Sequence, residues 1–420
     1  IVPRKFFLFK RKNLNQICLL YLRSWDMKSN YDILGNHIRL IDTRNRESIT
    51  DRVLGINIDK FFMPSVANVI GTDLSKYKLI TKGKFACNPM HVGRDERLPV
   101  ALYDEEEPAI VSPAYFMFEV IDNRILNEDY LMMWFRRPEF DRICWLHTDG
   151  SVRGGITWDD ICRLELPIPP IEKQIEIVNS YKAITKRIAL KQKINDNLAD
   201  ELNTIYSKWF ENFESPFAST QKEESELGNI PLGWKVAELG EFIESYSKTH
   251  QFNKDKLIFL NTSDILSGVF LNNAYMQVAD MPGQAKKEIR QGDILFSEIR
   301  PANKRYALVT FPADDYVVST KLMVLRTTQN CLSNLRFYHL LTMDKTLNKL
   351  HREADGKSGT FPQITFDENL RHRKFIVADD QTEQQFEYLL QAYYKLNKVT
   401  QQEIKYLEQA KSILLSKLSH

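Results

Sequence analysis

Three things are missing from this chain, and each absence removes a class of function. No G-x-x-x-x-G-K-[ST] run occurs anywhere, so a phosphate-cradling loop of the P-loop type is excluded. The five cysteines (Cys18, Cys87, Cys144, Cys162 and Cys331) are scattered, odd in number and without a C-x-x-C pair. That argues against a disulfide framework or a zinc cluster and fits a reducing, cytoplasmic setting. No stretch reaches the roughly 18 uncharged apolar residues of a membrane span, so no membrane partner is expected. Net charge is also scarce: 57 basic against 55 acidic residues leave +2. Any nucleic-acid surface must then come from local clustering of cations. What remains is an ordinary composition, 43% apolar and 27% charged over 420 residues, enough for two or three domains with cores of their own.

The first 25 residues hold six basic and no acidic side chains. With Lys10-Arg11-Lys12 splitting the apolar run, they read as an upstream extension (1–26) rather than a targeting segment, the first domain beginning near Met27.

From there the chain repeats itself. ILGNHIRLIDT (33–43) matches ELGEFIESYSK (238–248), and KLITKGKFACNPMHVGR (78–94) matches KEIRQGDILFSEIRPAN (287–303), with Gly83 over Gly292. AIVSPAYFMFEV (109–120) matches YVVSTKLMVLRT (316–327), with Ser112 over Ser319, and GITWDDI (155–161) matches QITFDEN (363–369). Four matches in one order, at offsets of 205 to 209, make the second half a copy of the first.

Each half closes on a long helix. The first is expected over 171–213, with an apolar stripe of Ile177, Tyr181, Ile184, Ile188, Ile194, Leu198, Leu202, Ile205 and Trp209 and one irregular step between Ile188 and Ile194. The second runs over 381–420 through Phe386, Leu389, Tyr393, Leu396, Ile404, Leu407, Leu414 and Leu418. A helix of about 40 residues is roughly 60 Å long at about 1.5 Å per residue, and a single apolar stripe of that length needs a partner. Each helix is the obvious partner of the other. In LELPIPPIEKQIEIV (164–178) a Pro-Pro pair precedes the helix. Proline is tolerated in a first turn, where its missing N–H would have no partner, and it holds the residue before it extended. At the second junction Asp379, Asp380 and Thr382 supply the helix start instead. The globular parts (27–170 and 235–380) mix strand-like stretches such as GDILFSEI, YALVTF and YVVSTKLMVL with the helical RFYHLLTMDKTLNKLH, and 214–234 reads as a linker. The fold class expected is α+β: two repeated domains separated by two long antiparallel helices, pseudo-two-fold.

This pattern resembles the specificity (S) subunit of type I restriction–modification systems. The resemblance runs from Met27 onward and rests on the Pro-Pro-helix junction at 166–174, the GDILFSEIRP segment, NPMHVGR with IVSPAYFMF, and GNIPLGW. It departs from the pattern at the second junction, which lacks the prolines. It implies two target recognition domains, each reading half of a bipartite double-stranded DNA sequence. It further implies helices that hold two methylation subunits and, through that core, restriction subunits. No cofactor is then expected on this chain, S-adenosylmethionine and ATP belonging to the partner subunits.

The alternative, a methyltransferase or nuclease with catalysis on the same chain, needs a site. CNPMHVG (87–93) is superficially like an amino-methyltransferase motif, but the second proline and the aromatic residue are absent. His91 there reads as a loop or DNA-facing residue. The glycine-rich GSVRGG (150–155) and its counterpart DGKSGTFPQ (355–363) each carry a cation on flexible backbone, Arg153 and Lys357, suited to approach phosphates or base edges. By the same logic the first half offers Arg44, Arg46, Arg52, Arg94 and Arg97. The second offers Lys248, Lys254, Lys286, Lys287, Arg300, Lys304 and Arg305. Asn88, Asn303 and Gln363 are candidates for reading adenine.

Overall fold

The structure, a computed structural model, describes residues 31–66, 69, 71–90, 92–148, 155–328, 332–357 and 362–419. The expected extension, His91 and Arg153 lie outside the described residues. The chain divides into two compact units, with the divisions after Gln192 and after Thr400.

In the first unit the strands are β1 (Tyr31–Ile33), β2 (Ile38–Leu40), β3 (Val53–Ile56), β4 (Phe62–Pro64), β5 (Lys78–Ile80), β6 (Phe85–Cys87), β7 (Val100–Leu102), β8 (Ala109–Val111), β9 (Phe116–Val120) and β10 (Glu165–Pro167). Helices α1 (Val92–Asp95), α2 (Glu128–Phe135), α3 (Pro138–Leu146) and α4 (Trp158–Cys162) lie between them, and α5 (Ile171–Tyr206) follows. Three sheets result: β1-β10, β2-β9-β6-β7 and β4-β3-β8-β5. A hairpin of β11 (Lys222–Ser225) and β12 (Gly228–Pro231) occupies the stretch read as a linker. The second unit continues with β13 (Lys235–Glu238), β14 (Ile243–Tyr246), β15 (Lys256–Leu260), β16 (Ile265–Leu266), β17 (Val269–Phe270), β18 (Tyr275–Gln277), β19 (Ala285–Glu288), β20 (Ile294–Ser297), β21 (Tyr306–Leu308), β22 (Tyr316–Ser319), β23 (Leu322–Thr327) and β24 (Lys374–Val377). Its helices are α6 (Asn334–Thr342), α7 (Asp344–Lys357) and α8 (Asp380–Ser416). The sheets are β13-β24, β14-β23-β20-β21 and β18-β15-β22-β19, with β16-β17 a small added hairpin.

Strand for strand, the halves are the same fold, α+β as expected, down to a parallel pairing at the same place in each: β3 with β8, and β15 with β22. The residues responsible are legible. Gly83 and Gly292 both take positive φ (82° and 96°), where an L side chain is strained. A Cβ at Gly35 would lie 2.9 Å from the Cβ of Cys162, and one at Gly240 2.7 Å from Cγ of Arg371. Both contacts join the start of a half to its end. Thr157 and Thr365 cap the short helical turns that precede β10 and β24, accepting from Asp160 N and Glu368 N.

One sequence reading changes. YVVSTKLMVL is two strands rather than one, and β22 and β23 belong to different sheets.

The two long helices meet within each unit. In the first, the Lys411 ammonium lies 5.4 Å from the centre of the Tyr181 ring, and Arg187 Nη2 is 2.5 Å from Glu403. Advance along α5 therefore matches retreat along α8, the antiparallel sense expected. In the second, Leu202 and Tyr206 near the end of α5 share a cluster with Phe386 and Leu390 near the start of α8. The buried seam of α5 falls on Gln174, Tyr181, Ile188, Asn195 and Leu202, every seventh residue. The irregular step expected at Ile194 is thereby removed. Ile194 is 39% exposed and Asn195 takes its place at 5%. On α8 the same exchange puts Thr400 inside and Leu396 outside.

The junctions differ in chemistry. At the first, Gln174 Nε2 donates to the carbonyls of Ile125 and Pro169, both at 2.8 Å, and its Oε1 accepts from Asn127 N. At the second, the Asp379 carboxylate accepts from Thr382 N at 2.9 Å and from Trp234 Nε1 at 2.7 Å.

Two outcomes are expected. Neither amide atom of Asn195 has a partner among the described residues. Asn195→Leu should therefore raise the thermal midpoint, since a buried unpaired polar group costs about 1–3 kcal/mol. A lower midpoint in calorimetry would mean that Asn195 is held by a bond. His339, packed between the Tyr206 and Phe386 rings, is pushed down to about 3 by burial, and by the neighbouring Arg336. Its folded-state value lies below the unfolded 6.5, so the unfolded chain binds the proton first. Stability intact above 6.5 falls as pH drops toward 3. Denaturant melts at pH 7 and 5 should show this loss, and His339→Phe should shrink it.

Candidate nucleic-acid interface

Two of the polar loops singled out in each half are tied together by main-chain hydrogen bonds. In the first unit the segment leaving the glycine-rich loop returns to the loop after β6: Ile156 N donates to Pro89 O at 3.2 Å. In the second, Ile364 N donates to Glu298 O at 2.8 Å and Arg300 N to Pro362 O at 3.1 Å, with Ile299 bridged to Gln363. The same two loops converge at the same place in the repeat, while their residues differ. Pro89 stands where Glu298 stands, and helix α1 where the 3-10 turn Pro301–Asn303 stands.

The candidate cations divide by what they already hold. Lys287 is buried, donating to Leu322 O at 2.8 Å and lying 3.8 Å from Glu298, and burial pushes its ammonium below the usual lysine range. Lys78 does the same at the corresponding place, donating to Tyr115 O at 2.6 Å. Arg44 holds Lys76 O and Asp42, Arg52 holds Glu105, Arg94 its neighbour Asp95, and Arg97 Asp59. In the second unit Lys248 pairs with Glu288, Lys254 with Asp315 and Lys304 with Asp344. Arg305 Nη1 donates to the carbonyls of Ser263 and Ile265, each at 3.0 Å, and so fixes the base of the β16-β17 hairpin. Gln363 Nε2 donates to Glu298, and Asn88 Oδ1 accepts from Met90 N. Asn303 is exposed in its turn, and Lys357 ends α7 with a side chain outside the described residues.

Arg46, Lys286 and Arg300 are exposed and carry no side-chain partner among the described residues. Arg300 adds backbone strain: its φ of 46° is left-handed, and Pro301 follows it. Both features disfavour a non-glycine residue in that conformation. Lys304 (φ 51°), and Glu96 (φ 52°) in the corresponding loop of the first unit, share that conformation. Strain retained at an exposed loop marks a place where position matters more than stability.

Sequence reasoning passed over a cleft of about 500 Å³ in the first unit, walled by Lys60, Arg97, Arg136, Arg142 and Trp145. Lys60 is buried there, its Nζ donating to Phe135 O at 2.5 Å and Asp141 Oδ1 at 2.7 Å. The basic, aromatic run RRPEFDRICW (136–145) was the available signal. Among the described residues no group of three His, Cys, Asp or Glu side chains is placed to hold a metal ion, and no helix is long and apolar enough to cross a membrane.

Residues 231–409 match the family model described as the type I restriction modification DNA specificity domain. A stretch of 152 residues is 41% identical to the specificity subunit of the type I restriction enzyme HindI of Haemophilus influenzae, covering 36% of this chain and 33% of that protein. Another of 231 residues is 25% identical to a protein of Methanocaldococcus jannaschii provisionally described as the MjaX specificity subunit, covering 53% of this chain and 49% of the relative. The chain thus spans about a third to a half of the length of these curated relatives. The crystal structure of an S subunit of a type I restriction-modification system from M. genitalium covers 94% of this chain and 97% of its own at a TM-score of 0.57. At 14% identity this likeness shows the fold alone.

The geometry separates two arginines. Arg300→Gly should leave the thermal midpoint unchanged or raise it, because glycine accepts the left-handed backbone without strain. Arg305→Ala should lower it by a few degrees, since losing hydrogen bonds from a charged donor costs about 1–3 kcal/mol. Equal losses in the two variants would show that Arg300 also supports the fold.

Proposed function

We propose that the chain, whose residues 231–409 match the family model described as the type I restriction modification DNA specificity domain, is the DNA-reading subunit of a type I restriction–modification complex. Each half is a recognition module for one part of a bipartite target. The observation that carries this reading is the repeat itself. The first half reproduces the matched domain strand for strand, while its converging loops carry different side chains. Two copies of one framework with divergent loops suit the reading of two different short sequences. Arg46, Lys286 and Arg300, exposed and without a side-chain partner among the described residues, are the cations best placed to reach phosphates or base edges.

On this reading the chain does no chemistry of its own. S-adenosylmethionine and ATP are bound by partners, two methylation subunits and through them restriction subunits. Support for docking comes from the outward face of α8, where Tyr388, Leu396, Val399, Tyr406 and Ile413 are all more than 40% exposed. The last three stand seven residues apart. An apolar stripe at helical spacing fits a partner's helix. The setting is the cytoplasm, where unpaired thiols and accessible genomic DNA coincide.

Methylation mapping of the chain co-expressed with its methylation subunits tests the proposal. A bipartite motif is expected. Arg46→Ala should change only one half-site or its occupancy, and Arg300→Gly only the other. Losing one phosphate contact should make the slope of log affinity against log salt shallower by about 0.9. S-adenosylmethionine binding by the purified chain alone, measured calorimetrically, would move the catalytic alternative to the front.

A further inference from the structure

Where the two halves correspond, most framework positions keep their chemistry: Lys78 and Lys287, Phe85 and Ile294, Phe118 and Leu325, Ser112 and Ser319. One cluster does the opposite. On the first module's sheet β2-β9-β6-β7, Arg39 stands opposite Glu119, and Lys84 comes one step beyond the Phe85–Phe118 pair, beside the same Glu119. Glu119 is 9% exposed; it accepts from Arg39 Nε at 2.7 Å and is ion-paired with Lys84. On the second module's sheet β14-β23-β20-β21, Glu244 stands opposite Arg326, and Asp293 comes one step beyond the Ile294–Leu325 pair. Arg326 grips Asp293 with two hydrogen bonds of 2.8 Å, Asp293 being 1% exposed, and its guanidinium lies 3.4 Å from the centre of the Tyr246 ring. The three positions read plus, plus, minus in one half and minus, minus, plus in the other.

This inversion bears on folding because strand order is the same in both sheets and the central pairs, Phe85–Phe118 and Ile294–Leu325 among them, are apolar in both. A folding chain that laid β20 on β9 would keep its apolar pairs but would set Asp293 against Glu119. Laying β6 on β23 would set Lys84 against Arg326. The edge strands fail in the same way: β2 on β23 opposes Arg39 to Arg326, and β14 on β9 opposes Glu244 to Glu119. Each of these four hybrids sets like charges opposite one another where the native sheet sets opposite charges. Like charges across a strand pair are destabilising, and a buried charge left without its counter-ion is more so. We infer that the sign-inverted triad is a pairing code that prevents the two halves from exchanging strands as the chain folds. The inference stands on the sheets alone and is independent of the DNA-reading proposal.

The test is to make the two codes match. Arg39→Glu, Lys84→Asp and Glu119→Arg in the full chain keep an ion pair in the first module but give it the polarity of the second. The fraction of chain recovered as monomer after dilution from denaturant, measured by size-exclusion chromatography, should fall severalfold. Adding Glu244→Arg, Asp293→Lys and Arg326→Glu inverts both triads, restores the difference between halves and should restore the yield. A matched variant that refolds as well as the parent would overturn the inference. So would a six-fold variant recovered as poorly as the matched one, since the loss would then be local damage to the sheet.

Discussion

In each half the chain comes back to where it began. β1 pairs with β10, and β13 with β24, so the last strand of a module lies against its first. Main-chain hydrogen bonding alone would not hold so short a pairing; the close approach of Gly35 to Cys162 and of Gly240 to Arg371 brings the backbones together beside it. The helix that follows must leave from that closure point. Gln174 locks the first exit, and Asp379, held by Trp234 and Thr382, locks the second. The direction of the long helices and the placement of the loops both descend from this return of the chain.

The converging loops hang from the same framework. The bonds from Ile156 to Pro89 and from Ile364 to Glu298 place two loops side by side without prescribing their side chains. Buried Lys78 and Lys287 hold neighbouring carbonyls, so the sheets beneath are fixed while the surface is free to vary. Most of the cations on that surface are engaged with carboxylates or carbonyls of the same unit. A side chain such as Arg300, on strained backbone and without a side-chain partner among the described residues, is therefore conspicuous.

Much of this was legible in the sequence because it rests on residues that cannot be replaced cheaply. Glycines at positive φ, helix-capping threonines and alternating apolar strands recur at one offset. The rest was hidden for identifiable reasons. Counting apolar residues cannot find a polar side chain in a helix seam, so Ile194 was read where Asn195 belongs. An unbroken apolar run does not disclose the turn that sends β22 and β23 into different sheets. The partners of Arg97 and Lys254, at Asp59 and Asp315, are far away in sequence, and nothing local marks those cations as engaged. The first junction was visible through its prolines, whereas the role of Trp234 at the second depends on a hydrogen bond across the whole module.

The opposed charges on the two sheets also bear on inheritance. A tandem repeat invites unequal crossing-over between its own copies. A crossover falling between the codons of Arg39 and Glu119, or of their counterparts, would join strands with clashing signs and yield a product that folds poorly. One falling in the hairpin β11-β12 or along the long helices would leave both triads whole. Recombination that survives selection should therefore trade complete modules, and the breakpoints in descendants of this gene should cluster outside the sheets.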